Sequence, residues 1–124
     1  MTDLLTRIIA CDGNPQETAE LILEAWLADN PEPGEGRPSR AWTKWNICKA
    51  FLRRRLLDRD PGALLGAVID FILPEGWEWQ AGRFADGNGT AEIWIGDQPY
   101  SSEATTPALA LLAACIKVRE TSHE

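Results

Sequence analysis

The run Leu73-Pro74-Glu75-Gly76-Trp77-Glu78-Trp79 continues to Arg83-Phe84, turns at Asp86-Gly87-Asn88-Gly89 and returns through Ala91-Glu92-Ile93-Trp94-Ile95. Two aromatic and β-branched segments around a cluster of Gly, Asp and Asn predict an antiparallel hairpin. Pairing across Gly87-Asn88 sets Phe84 opposite Ala91, Arg83 opposite Glu92, Gly82 opposite Ile93 and Ala81 opposite Trp94. In that register Phe84, Ala91, Ile93 and Ile95 form an apolar face that must be covered. The other face then carries Trp77, Trp79 and Trp94, with Arg83 and Glu92 as a cross-strand ion pair. A short third strand is expected near Tyr100 to Ala104.

What covers the hairpin follows it in the chain. Thr106 is a helix cap and Pro107 suits the first helical position, where its missing N–H costs nothing. From Ala108 to Ile116 every residue is apolar, so this helix is expected to be buried all round, against a sheet face. Lys117 and Arg119 close it with the charge that its C-terminus favours, and Thr121 to Glu124 are expected to fray.

Upstream, Leu4 to Ile9 predicts one or two helical turns. Asn14-Pro15-Gln16-Glu17 opens a helix that carries Leu21, Ile22, Ala25 and Trp26 on one face, turns Glu20 and Glu24 away and stops near Asp29. Residues 30–38 hold three prolines and two glycines and read as an exposed loop. Ser39 caps a helix over Arg40 to Leu57 whose core stripe is Ala41, Trp42, Trp45, Cys48, Leu52 and Leu56. Arg40, Lys44, Arg54 and Arg55 share another side with Ile47 and Phe51, while Lys49 and Arg53 flank the stripe. Asp60-Pro61 starts a short buried helix that Pro74 terminates.

The chain of 124 residues is long enough for one domain with its own core and carries a net charge of −7. Eight of the twelve basic residues lie between Arg37 and Arg59, where Asp58 is the only acid, so that segment carries +7 and the remainder −14. Such asymmetry marks either a binding face or two poles that attract each other. Three cysteines without metal-ligand spacing read as buried thiols in a reducing compartment. No run of apolar residues reaches membrane-spanning length and no leader pattern opens the chain, so a soluble cytoplasmic protein is expected.

Catalytic signatures are missing. His123, the sole histidine, stands next to last. No Ser or Cys sits in a nucleophile elbow, and no glycine-rich run joins a strand to a helix. Asp86-Gly87-Asn88-Gly89 lacks the remaining carboxylates of a calcium loop and is better read as a turn. Glu75 and Glu78 read as solvated acids. No enzyme, cofactor or metal is expected.

Two surfaces remain as candidate binding sites. One is the basic helix, with Arg40, Lys44, Arg53, Arg54 and Arg55 around Phe51, where guanidinium groups suit phosphate and Phe51 suits stacking. The bland account is a solvated helix face paired with the acidic remainder. The other is the aromatic face, Trp77, Trp79 and Trp94, read either as an interface or as core beneath a second helix layer. Trp42 and Trp45 would supply that layer.

Leu73-Pro74-Glu75-Gly76-Trp77 with Trp79, the strand Ala91-Glu92-Ile93-Trp94, and Ala104-Thr105-Thr106-Pro107 through Ala114 resemble the phage ABA sandwich domain, with a weaker match at Leu4 to Ile8. The matches cover about half of the chain. The resemblance implies a sheet layered with helices, an origin in phage or prophage, and no assigned activity. The segment from Asp29 to Asp60 departs from the pattern, which marks the basic helix (residues 39–59) as a family-atypical insertion beside a sandwich core at 63–120. The reading is an α+β fold: a small antiparallel sheet of three or more strands packed between helices, αβα sandwich-like. Its expected function is non-enzymatic binding of a host bacterial protein, as an inhibitor or modulator of, for instance, a defence system. The alternatives are a phage particle assembly accessory, or a nucleic-acid or nucleotide binder through the basic helix.

Overall fold

A computed structural model describes residues 3–34 and 39–122. Helices α1 (Asp3–Ala10), α2 (Pro15–Asp29), α3 (Arg40–Arg55) and α4 (Pro61–Phe71) precede strands β1 (Glu78–Arg83), β2 (Gly89–Ile95) and β3 (Gln98–Ala104), and α5 (Pro107–Ser122) closes the order. His123 lies outside the described residues, as does part of the 30–38 loop.

The helix starts follow from local chemistry. The Asn14 side chain accepts from the Gln16 and Glu17 amides, Ser39 from Trp42 and Asp60 from Gly62, each satisfying a donor that the first helical turn leaves unpaired. Pro15, Pro61 and Pro107 each occupy the first helical position. The α5 cap is weaker in geometry, with the Leu109 amide 3.3 Å from Thr106 Oγ1.

Every residue of α5 from Ala108 to Ile116 is buried, and so is Val118. A helix apolar all round needs cover on all sides, and it has it. One side packs on β1, β2 and β3, and the others meet α4, α1 and α2. Each large aliphatic side chain among them contributes roughly 1.5–3 kcal/mol by leaving water. The chain is therefore α+β, with a three-stranded antiparallel sheet in the order β1-β2-β3 packed against helices. In this arrangement α5 is the middle layer, between the sheet and helices α1, α2 and α4. Arg119 pins its far end to α2, donating to the Ala25 carbonyl at 3.1 Å and meeting Asp29 at 3.4 Å. Arg7 ties α1 to α2 through Glu24.

The hairpin forms where expected but in another register. β1 and β2 pair with Ala81 opposite Ala91, Trp79 opposite Ile93, Gln80 opposite Glu92 and Arg83 opposite Gly89. The turn is centred earlier than Gly87-Asn88. The Gly87 amide donates to the Phe84 carbonyl at 2.9 Å, and the Phe84 amide to the Asn88 carbonyl at 2.8 Å. Gly87 has φ +95°, and Asp86 Oδ1 accepts from the Asn88 amide. This is a three-residue loop, a type I turn completed by a left-handed glycine. The displacement is an odd number of residues, so β1 presents its other face. Trp77 and Trp79 thus lie on the α5 side with Ile93, and Trp94 lies alone on the opposite side. Arg83 is not paired with Glu92, and Phe84 is an exposed loop residue outside the apolar face.

The register is enforced by Gly89. A Cβ there would stand 2.2–2.3 Å from the backbone of Thr106 and Pro107. Nothing but glycine lets β2 start directly against the first turn of α5. The opposite sheet face carries Glu78, Gln80, Thr90, Glu92, Trp94, Pro99, Ser101 and Glu103, a polar and acidic surface. Trp42 and Trp45 do not cover it. They face α2 and the residues after it, where Trp45 stacks on Trp26 with ring centres 6.4 Å apart and Trp42 Nε1 donates to Glu32.

Two expectations follow. Gly89→Ala lowers unfolding stability by about 3 kcal/mol or more, whereas Gly82→Ala, with nothing within 4 Å of the added carbon, changes it by less than about 1 kcal/mol. Chemical denaturation of both variants checks this. Burial pushes the Cys115 thiol from 9.0 up to about 12 against the opposing charge of Arg119. The folded chain then keeps a proton that the unfolded chain releases above about pH 9. This contribution to stability is whole below that pH and lost as pH rises toward about 12, with a slope of at most about 1.4 kcal/mol per pH unit. Urea midpoints across that range fall more steeply for the natural chain than for Cys115→Ala.

Candidate functional site

Helix α3 stands apart from the layers around α5, and its main partner is α4. Its inner side is held by Leu52 and Leu56, both buried, and by Trp45, whose Nε1 donates to the Asn30 carbonyl at 2.7 Å. Lys49 Nζ lies 4.9 Å above the Trp45 ring, so a flanking lysine strengthens this anchorage. Cys48 and Trp42 are half-buried and Ala41 is exposed, so the expected apolar stripe is deep only at its C-terminal end.

The outer side carries Arg40, Lys44, Ile47, Phe51 and Arg54 at successive spacings of four, three, four and three residues. Such spacing aligns side chains along one stripe of a helix. Ile47 is 49% exposed and Phe51 59%. Neither Arg40, Lys44 nor Arg54 forms an ion pair with any described residue. Two shallow hollows share Cys48 in their lining: one of about 580 Å³ against Arg40, Lys44 and Ile47, and one of about 380 Å³ against Phe51, Arg54, Arg55 and Phe71. The surface is an apolar pair set between cations.

Not all six residues expected on this face belong to it equally. Arg55 is drawn to α4, with Nη1 2.7 Å from Asp70 Oδ2 and its guanidinium 5.7 Å from the Phe71 ring centre. Arg53 projects to the other flank and lines a separate hollow with Leu23, Leu56, Leu57 and Arg59. Pairing with the acidic remainder thus accounts for Arg55 and leaves Arg40, Lys44 and Arg54 to solvent. An exposed ion pair such as Arg55–Asp70 contributes about 0–1 kcal/mol.

The second candidate does not form one surface. Trp77 is half-buried against the core, Trp79 is 38% exposed at the rim of α5, and Trp94 lies across the sheet between Glu78 and Pro99. The odd register displacement separated them. Leu57, 74% exposed beside Arg53 and Arg59, is an apolar surface residue that helical periodicity had assigned to the end of α3. The helix ends at Arg55, and Leu57 falls in the turn after it.

Groups able to do chemistry are sparse among the described residues. Cys115 is buried with its thiol held protonated, and Cys11 is buried near Thr18. The Cys11 thiol and the Asp12 and Glu17 carboxylates come within 4.8 Å of one another, a grouping that residue spacing did not reveal. Both carboxylates stand at the N-terminal end of α2, where the helix dipole favours negative charge. Glu75 and Glu78 are exposed. No described helix is long and apolar enough to cross a membrane.

The geometry defines an α+β protein in which α3 exposes a basic and apolar face. Comparison with protein-family models, curated proteins and solved structures gives no match.

The outer stripe of α3 is not needed for folding. Ile47→Ala and Phe51→Ala each change unfolding stability by less than about 0.5 kcal/mol, while Leu52→Ala, one residue away on the buried side, costs about 2–5 kcal/mol. Paired denaturation curves for the three variants check the contrast.

Proposed function

We propose that this protein acts by binding and not by catalysis, and that it meets an acidic protein partner through the outer face of α3. The observation that carries this reading is the stripe itself: Ile47 and Phe51 exposed on a helix, with Arg40, Lys44 and Arg54 around them forming no ion pair with a described residue. Exposed aromatic and arginine side chains together are the composition of interface hot spots, where a desolvated ring supplies affinity and surrounding charge supplies orientation and rate. The resemblance to the phage ABA sandwich domain suggests the setting. The chain is then a phage- or prophage-encoded modulator of a host bacterial protein, working in the host cytoplasm.

A second reading rests on the same stripe. Phe51 beside Arg54 also suits a nucleobase stacked on the ring with its phosphate on the guanidinium. The net charge of −7 opposes it by repelling a polyanion from the rest of the surface. The protein partner is therefore preferred.

Capture from host lysate with the natural chain and with Phe51→Asp/Arg54→Glu, each with and without nuclease, separates the two. The expected result is one stoichiometric protein that survives nuclease and whose recovery falls at least about tenfold with the variant. Nucleic acid that disappears with nuclease, and a retention that falls steeply with salt, would transfer the function to the second reading. Capture identical with both chains would remove α3 from the interface.

A further inference from the structure

The two edges of the sheet are built differently. β3 is a guarded edge: Pro99 offers no N–H, α1 packs against the strand, and Lys117 Nζ donates to the Ser101 carbonyl at 2.9 Å. Proline, lysine and a covering helix are the usual means by which a sheet edge is closed to further strands. β1 has none of these. Over Glu78–Arg83 it contains no proline and no lysine, its main contacts are with β2 and α5, and no hydrogen bond joins its outer edge to any described residue.

From this asymmetry the geometry points to β1 as a self-pairing edge, which takes the β1 of a second copy of this chain in antiparallel fashion about a two-fold axis. An axis that joins two such edges must stand perpendicular to the sheet, so the α5 sides of both copies fall on the same face. Side chains of opposed residues then point the same way, which permits only registers that pair like faces. The register centred on Ala81 places Trp79 of each copy opposite Arg83 of the other, and Gln80 opposite Gly82.

The residues fit that arrangement. Trp79 is 38% exposed on the α5 side of the edge strand, a large apolar ring left partly in water. Arg83 is exposed, on the same face, and forms no ion pair with a described residue. Opposed across the axis they form two symmetric cation–π contacts, and the arginine stem covers the ring. Gly82 has nothing within 4 Å of its missing side chain and leaves room for Gln80 of the second copy. The two three-stranded sheets become one of six strands, and the unpaired backbone of β1 is satisfied.

The occupant is a second copy because the edge is complementary to itself in charge and shape. A foreign strand would need to supply the same cation opposite Trp79 and the same aromatic opposite Arg83. The pairing uses no residue of the α3 stripe, so it stands or falls independently of the partner assigned to that helix.

Sedimentation velocity of the full chain over a range of concentrations tests it. The natural chain is expected to show a reversible dimer. Trp79→Lys sets like charges across the axis and weakens the dimer by about tenfold or more. The double variant Trp79→Lys/Arg83→Glu sets opposite charges there and recovers it, which a merely structural role of Trp79 would not produce. A chain monomeric at every concentration overturns the inference, as does a dimer indifferent to Trp79→Lys or one lost with Phe51→Asp. Should Trp79→Lys fail to fold, hydrogen exchange on the natural chain decides. Protection of β1 amides that rises with protein concentration supports the pairing, and exchange independent of concentration refutes it.

Discussion

Between Ala108 and Ile116 no side of α5 can face water, and the rest of the chain is arranged to keep water from it. The sheet covers one side, and α4, α1 and α2 cover the others. The contact that locks this arrangement is the approach of β2 to the start of α5, where Gly89 lies against the backbone of Thr106 and Pro107. That contact is steric and has little tolerance, because backbone atoms cannot move aside as the end of a long side chain can. It sets where β2 begins and, through the three-residue loop, which residues of β1 oppose it.

Once α5 is covered, the chain has surfaces left over, and their chemistry differs. The far side of the sheet sets Glu78, Glu92 and Glu103 among Gln80, Thr90 and Ser101, with Trp94 beside Pro99, and is largely suited to water on its own. Helix α3 is held by Trp45, Leu52 and Leu56 on one side, and on the other it exposes apolar groups among cations. Neither core packing nor charge pairing among the described residues accounts for Ile47 and Phe51 in water beside Arg40, Lys44 and Arg54. The binding role proposed for that stripe would account for them.

Charge adds a second layer to the picture. The positive segment around α3 and the negative remainder attract each other, yet among the described residues α3 makes one ion pair with that remainder, Arg55 to Asp70. Arg40, Lys44 and Arg54 form no ion pair with any described residue. The field of the whole chain would bring the acidic partner proposed for this helix toward it and away from other faces.

Much of this was legible along the chain because it is local. Caps and first-turn prolines act within four residues, so α2, α3 and α4 start where Asn14-Pro15, Ser39-Arg40 and Asp60-Pro61 place them. A run of nine apolar residues after Thr106-Pro107 can only be a helix buried all round, and the exposed position of Phe51 among cations follows from helical geometry alone. The hairpin's existence was equally plain from its turn residues. Its register was not. Gly87 and Gly89 both read as turn glycines, and only the contact of Gly89 with α5 shows that one serves the turn and the other the packing. That distinction moved Trp77 and Trp79 to the covered face and dissolved the apparent tryptophan surface. Sequence thus determined the elements, the starts of the capped helices and the polarity of α3, because those depend on neighbours in the chain. Tertiary structure alone decided the strand register, which cations are spent on Asp70 and which edge of the sheet stands open, because those depend on atoms distant in sequence.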